Sequence, residues 1–421
     1  MINKSNTGYI FLLSLMISGQ AWATNGYFAH GIGIKGKGMG GVGIGLPQDS
    51  LAGGVNPANM GLLGNRMDVG VDIFRPIREA NISGSNAGFT DGHFDANETT
   101  IFPVPEFGYN RVINDKMTLG VSVFGSGGMN VDYKTNIPLF GSTAVGTDLA
   151  QLFVVPNMSY KVQEKHYLGV GLNLVGQRLQ IEGAQNFAAA PPSVFPGNVT
   201  NRDYAYSYGA GLRLGWLGQL SDRINVGATY QTRTWMTEFD GYKGLLAEQG
   251  DLDIPSNFGI GISFLATPDF TIAMDVVRIR FSEVAALKNP ITNLPIGGLG
   301  ADNGAGFGWE DQTVWKLGLA YQATPELTLR AGWNYGKTPI PSSETAFNIF
   351  APATVEHHLT LGASWKLDQQ REITISYMHA FEKEIKGSGS LVVPAAGAGG
   401  AGEVDLKMYQ DSLGIAMSWK L

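Results

Sequence analysis

The sequence contains no cysteine in 421 residues, which excludes a disulfide framework, a thiolate metal site and a thiol nucleophile. Charge is scarce too: 15% of residues are Asp, Glu, Lys or Arg, against about 25% in soluble domains. The net charge of -7 comes with no basic run, so no nucleic-acid partner is expected. Past the first two dozen residues no run of eighteen apolar residues occurs, so no transmembrane helix is expected there. Signatures of catalysis and metal binding are missing as well. His30, His93, His166 and His379 are scattered, and His357 and His358, adjacent on a strand, would face opposite sides. No G-x-S-x-G or H-E-x-x-H occurs. Gly31 to Gly36 matches G-x-G-x-x-G, but no strand precedes it, and flexible backbone explains it better than a dinucleotide site. No cofactor and no metal are expected.

Glycine, in contrast, is abundant, with 58 residues and its densest run between Asn25 and Met60. Such a segment loses much backbone entropy on ordering and brings few side chains to bury, so it needs an enclosure. Ahead of it, Lys4, an apolar stretch around Tyr9 to Ile17 and Ala21-Trp22-Ala23 read as a signal peptide cleaved after Ala23.

From Met67 onward apolar residues recur at period two. Val69, Val71 and Ile73 alternate with Asp68, Gly70 and Asp72, and Leu413, Ile415, Met417 and Trp419 alternate with Ser412, Gly414, Ala416 and Ser418, the pattern of strands with one apolar and one small or polar face. Fourteen strands are expected near 67–82, 101–112, 117–133, 149–162, 167–182, 203–217, 223–240, 252–265, 270–286, 307–322, 326–337, 354–367, 371–386 and 406–421. Short turns alternate with long connections such as Gly183 to Arg202 and Leu287 to Gly306. An even strand count, one short-turned end and aromatics at strand ends (Tyr204, Tyr206, Tyr208, Trp333, Tyr335) describe an all-β fold, a transmembrane antiparallel barrel of about 14 strands. A secreted β-sandwich is the alternative, but its strands are shorter, about 5–6 residues. The expected divisions are 1–23 signal peptide, 24–65 N-terminal hatch, and 66–421 barrel in the outer membrane of a Gram-negative bacterium.

The glycine-rich segment ending in Asn56-Pro57-Ala58, the first strand closing with Asn81-Ile82-Ser83-Gly84, Thr147-Asp148-Leu149, the run from Gly169 to Asn173 leading to Ile181-Glu182, and Ser376-Tyr377-Met378-His379 together resemble the FadL/TodX-type family of outer-membrane transporters for long-chain fatty acids and hydrocarbons. The resemblance spans nearly the whole mature chain. It implies a fourteen-stranded barrel closed by a hatch, passive uptake of hydrophobic molecules, and a lateral opening in the third strand, here at Gly125, Ser126, Gly127 and Gly128. Consecutive small residues there also make a bulge cheap. Two departures stand out: the chain ends Ser418-Trp419-Lys420-Leu421 where such barrels commonly end on an aromatic, and the hatch carries Lys35 and Lys37.

Asn56-Pro57-Ala58 reads as a rigid turn where hatch meets wall, since Pro fixes φ and Asn readily caps a turn. Arg213, Arg233, Lys316, Arg330 and Lys366 fall on the small, polar face and would point into the lumen. Each of the first four could meet a ligand carboxylate, as could Arg178, or each could pair with an interior acid such as Asp72, Glu106 or Asp275. Phe187 and Phe195, with other apolar loop residues, would capture the ligand. The expected ligand is a hydrophobic small molecule, a fatty acid first and an aromatic or alkane hydrocarbon as the alternative. The expected surroundings are outer-membrane lipid and lipopolysaccharide around a monomer. A general porin and an outer-membrane lipid hydrolase are the readings of another class.

Overall fold

The computed structural model describes residues 25–85, 90–391 and 402–421; the expected signal peptide lies outside them. Alternation of side chains across a pleat forces each strand to show one face outward and one inward, and the outward face is apolar all the way round. Leu168, Leu172, Leu212, Ile260, Leu361 and Leu413 are all exposed there, as a lipid-facing wall requires. Among the described residues no helix is long and apolar enough to cross a membrane; the crossing is made by strands.

Fourteen of the sixteen strand segments build the wall. In chain order they are β1 (Arg66–Ser83), β2 (Phe102–Val112), β3 (Met117–Asn136), β4 (Ala144–Gln163), β5 (His166–Glu182), β6 (Ala205–Ser221), β7 (Ile224–Gln231), β8 (Asn257–Thr267), β9 (Phe270–Ile279), β10 (Gln312–Gln322), β11 (Leu327–Gly336), β12 (His357–Lys366), β13 (Arg371–Ile385) and β14 (Glu403–Lys420). Each pairs antiparallel with the next, and β14 returns to β1 from Arg66↔Lys420 to Ser83↔Glu403, which closes the barrel and removes both sheet edges. Two short segments lie apart from this ring: Gly92–Asp95 pairs with the upper half of β1, and Trp235–Met236 with β6.

Several strands stop short of their apolar pattern. β7 ends at Gln231, β8 begins at Asn257, β9 ends at Ile279 and β10 begins at Gln312, where alternation suggested 240, 252, 286 and 307. The extra apolar residues fold instead into a lid across one mouth. Phe281, Val284, Ala286, Leu287, Phe307 and Trp309 are buried there among loop segments, and burial on both sides looks like a continued strand in sequence.

The glycine-rich segment lies inside the wall. It holds one helical turn (Ile34–Lys37) and two 3-10 turns (Ser50–Gly54, Pro57–Leu62), joined by irregular chain. Gly40, at φ 69°, lies so close to β10 and β11 that a Cβ would come within 2.7–2.9 Å of the Leu317 oxygen and the Trp333 oxygen and nitrogen. Backbone meets backbone in the same way where Gly38 lies on Gly362, Gly40 on Gly332 and Gly45 on Gly261. The glycines of the inner wall are therefore the landing places of the hatch, which explains why the polar faces of the strands are so rich in them.

Candidate functional site

The hatch is fixed by polar contacts to the inner wall. The Asn56 carboxamide donates to the Ile44 oxygen at 2.8 Å and, across to β6, to the Trp216 oxygen at 2.9 Å, while its own oxygen accepts from the Ala58 N–H at 3.1 Å. Pro57 starts the 3-10 turn that Asn56 caps, and Ala58 lies against Gly169 of β5 so closely that a Cβ there would overlap it. Asp275 of β9 accepts the N–H groups of Gly43 and Ile44 at 2.7 and 3.0 Å. Lys37 pairs with Asp72 at 2.9 Å and faces Glu106 at 3.9 Å, and Glu106 also accepts the Ile34 N–H at 2.8 Å. Lys35 pairs with Glu372. Asp72 and Glu106 thus hold the hatch, instead of serving as partners for wall bases.

Above this seat the wall is interrupted. β2 pairs with β1 from Asn110 up to Phe102, but with β3 only from Val112 to Glu106, the last pair being Glu106↔Phe124. Pro103 and Pro105 occupy the stretch of β2 that leaves β3 unpaired, and neither has an N–H to give a ladder. On the other side, the β3–β4 register slips between Gly125 and Gly127, so Ser126 is a bulge. Residues 95–99 rejoin β3 above the break, where Asn97 bridges Asp132, and the start of the hatch lies against the break itself. Phe28 bridges Gly127, and the Gly128 N–H donates to the Tyr27 oxygen at 3.2 Å.

From this opening a column of rings rises into the lid. Tyr27 stacks on Phe28 at 4.9 Å and meets Trp309 at 5.9 Å; Trp309 packs edge-on against Phe281 at 5.0 Å and reaches Phe307, then Phe347, Phe187 and Phe140. Phe187 is fully buried in the lid core, whereas Phe195 sits at the outer surface beneath the Lys243 ammonium, 5.2 Å from its ring centre. Sequence reasoning passed over Tyr27, Phe28, Phe281, Trp309 and the proline pair. The prolines at alternate positions of the second strand were a readable signal. The paired aromatics ahead of the glycine run had no periodicity to mark them.

The candidate bases separate by environment. Arg178 shares its parity on β5 with the exposed Leu168, Leu172 and Leu174, so it points out of the barrel, paired with Asp148 at 2.9 Å and lying 4.8 Å from the Tyr204 ring centre. Arg233 clamps the lid: it pairs with Asp251 at 3.0 Å and with Asp253, and donates to the Glu283 oxygen at 2.9 Å. Burial, reinforced by the neighbouring Asp253 carboxylate, pushes Asp251 up to about 7. Lys316 donates to the His30 and Gly41 oxygens at 2.9 and 3.1 Å, opposite Asp275 in the β9–β10 register. Arg330 donates to the Ser364 hydroxyl at 2.6 Å. Lys366 lies exposed at the short-turned rim, donating to the Pro325 oxygen. Arg213 is 5% exposed and bonds the Gln231 carboxamide; among the described residues no carboxylate pairs with it. No group of three or more His, Asp or Glu among the described residues is placed to hold a metal ion.

A hatch-plugged, fourteen-stranded barrel with an interrupted wall can be set against known proteins. The model of the outer membrane protein transport family (OMPP1/FadL/TodX) matches residues 14–418. The chain belongs to that family. No curated protein matches the sequence. Among solved structures, a Pseudomonas aeruginosa FadL homologue superposes with a TM-score of 0.73 at 16% identity, over 94% of this chain and 99% of that one. The P. putida toluene transporter TodX follows at 0.68 and 17%, over 93% and 99%, and the Ralstonia pickettii toluene transporter TbuX at 0.65 and 17%, over 93% and 98%. At such identities the superpositions speak for the fold alone, which this member of the FadL/TodX family shares over more than nine-tenths of its length. It is an outer-membrane transport channel for hydrophobic compounds and not an enzyme.

Proposed function

We propose that the chain takes up hydrophobic molecules passively, long-chain fatty acids foremost, by capture beneath the loops, movement of the hatch and lateral exit through the gap beside β3. The observation that carries this reading is the interrupted wall against which Tyr27 and Phe28 of the hatch lie: β2 and β3 part above Glu106 and Phe124, Phe28 bridges Gly127 in the break, and residues 95–99 rejoin β3 only at Asp132. A long acyl chain gains about 0.8 kcal/mol for each methylene withdrawn from water, so a ring-lined interior captures it from dilute solution. Exit into the lipid then spares it a water-filled lumen. The ring column is continuous from the lid to the gap, and a hatch that fills the lumen argues against a standing porin pore. The protein would work as a monomer in a lipopolysaccharide-bearing membrane, with 24–65 as the moving unit and 66–421 as the fixed wall.

Aromatic hydrocarbons are the second reading, favoured by the predominance of rings in the column and by the toluene transporters among the structural neighbours. Both readings share the gap. Replacing Gly127 with leucine places a side chain where the Gln151 carboxamide and the Tyr27 ring already lie. Uptake of radiolabelled oleate and of toluene by cells carrying the variant is expected to stop while the barrel still assembles, and normal uptake of both by a folded variant would refute lateral exit.

A further inference from the structure

The outside of the wall changes character at one level. On β5 the outward positions are exposed and apolar from Leu168 to Leu174, and two steps further on the same parity they become Arg178, Gln180 and Glu182. A charge facing lipid is costly at the midplane and cheap at the interface. Arg178 therefore marks where acyl chains end and head groups begin, with the rings of Tyr204 and Tyr206 beside it as a girdle has them.

The register turns this border into a site. Asn130, Asp148 and Gln180 align in one row across the outside of β3, β4 and β5, with Asp132 and Glu182 in the row above and Arg178 beside Tyr206 in the row below. Gly146, between Asp132 and Glu182, leaves the floor low. Over it lies a cavity of about 520 Å³, walled by Thr99 and Phe102 on one side and by the two tyrosines on the other. Its acids are already oriented: the Tyr204 hydroxyl donates to Asp148 at 2.8 Å, Arg178 pairs with Asp148 at 2.9 Å, and the Thr99 hydroxyl donates to Asp132 at 2.6 Å.

The lining selects among head groups. Three carboxylates stand against one guanidinium, which disfavours a bare phosphate. Carboxylates, amides and an arginine beside exposed tyrosine rings suit a sugar, whose hydroxyls take the hydrogen bonds and whose C–H faces lie on rings. From β3 to β6 the hollow spans three strand spacings of about 4.8 Å, about 14 Å in all, room for a sugar ring or two.

We infer that this hollow on the outside of the barrel seats the sugar head of an outer-leaflet glycolipid, with its acyl chains lying down the wall along Leu174 and Leu172. Gly128 of the break shares the row of Arg178, so the seated lipid borders the outer mouth of the gap. The inference goes beyond the uptake function and does not depend on which cargo the channel takes.

The test is titration by native mass spectrometry of the mature protein folded in detergent, with magnesium present to screen phosphate charge. The probes are deep-rough lipopolysaccharide, its deacylated oligosaccharide and dioleoylphosphatidylglycerol. The wild type is expected to bind the lipopolysaccharide more tightly than either other probe. Tyr206→Ala with Gln180→Leu removes one ring contact and one hydrogen-bonding group and should weaken lipopolysaccharide roughly tenfold. Trp315→Ala, which removes an exposed outward ring from β10, should stay within about two-fold. Equal affinity of the wild type for phosphatidylglycerol overturns the assignment of a sugar head. Equal affinity for the deacylated oligosaccharide overturns the assignment of a membrane lipid, and neither result needs a variant to fold. Undiminished lipopolysaccharide binding by a double variant with normal heat-modifiable gel migration overturns the site.

Discussion

Replacing Lys37 with methionine tests whether the hatch is a separately latched body. The ammonium lies 2.9 Å from Asp72 and 3.9 Å from Glu106, and the three side chains are 4%, 0% and 4% exposed. Removing the cation strands buried carboxylate, for which breaking a buried pair costs about 3–5 kcal/mol. Because Lys37 belongs to the hatch and both acids to the wall, the loss falls on hatch seating and not on the barrel ladder. Seating should weaken by roughly 10² to 10⁴ at about 1.4 kcal/mol per factor of ten. Amide hydrogen exchange over residues 33–44 reads this directly, since Ile34, Gly43 and Ile44 donate their N–H groups to wall carboxylates. Strand amides and heat-modifiable gel migration report an intact barrel. Adding Asp72→Asn removes the stranded charge and should restore much of the protection. Unchanged exchange in the single variant, or a double variant as loose as the single, would refute the latch.

Two further outcomes follow from the lid. Trp309 is 2% exposed, donates its indole N–H to the Asn348 oxygen at 2.6 Å and packs on Phe281; Trp309→Ala should cost the lid about 3–5 kcal/mol, seen as faster thermolysin cleavage in 280–311 with the strands uncut, and cleavage at the wild-type rate would count against the ring column as a structural unit. Asp251, its folded value raised to about 7, binds more protons in the docked loop than in the free one between the ordinary aspartate range and that value. Docking of the loop between β7 and β8 therefore weakens as pH rises through this window and is strongest below it. Protection of the Met236 amide, which donates to Asp253 at 2.6 Å, should be greater at pH 5 than at pH 8 after correction for intrinsic exchange. Asp251→Asn should erase the difference; a difference that survives the substitution contradicts the assignment.

The wall was legible because a lipid-facing barrel imposes one rule on every strand: apolar on one parity, small or polar on the other. β1, β11, β13 and β14 fall within a few residues of their expected limits; β1 and β14 obey the rule over Val69 to Ile73 and Leu413 to Trp419, and above that level it inverts, with Phe74, Ala80, Ile82, Val404, Leu406 and Met408 buried inward. The rule failed where both faces are buried, as at Phe281 to Leu287 and around Trp309, since the lid covers residues that alternation alone assigns to strands. The glycine run announced that it needed an enclosure, and the glycines of the strands now read as the other half of the same fit. Which bases meet an acid could not be read. Arg178 and Arg213 look alike in sequence, yet one step of parity and the position of Asp148 send the first outward into an ion pair and leave the second buried against a cavity. Lys37 shows the same limit: only the folded register shows that Asp72 and Glu106 answer to the hatch.

The absence of cysteine makes the central claim open to one clean measurement. Phe28 and Gly127 are antiparallel bridge partners, and such partners lie about 4.5–5.5 Å apart at Cα, within disulfide range. A Cβ at position 127 needs the space that the Gln151 carboxamide occupies, so the pair is introduced with Gln151→Ala to clear it: in the Phe28→Cys, Gly127→Cys protein of that background, oxidation ties the hatch across the wall gap. Uptake of radiolabelled oleate into proteoliposomes should cease on oxidation and return on reduction, with each single variant indifferent to redox state. Equal uptake by the oxidised and reduced double variant, with the disulfide verified by mass spectrometry, would contradict exit through this gap.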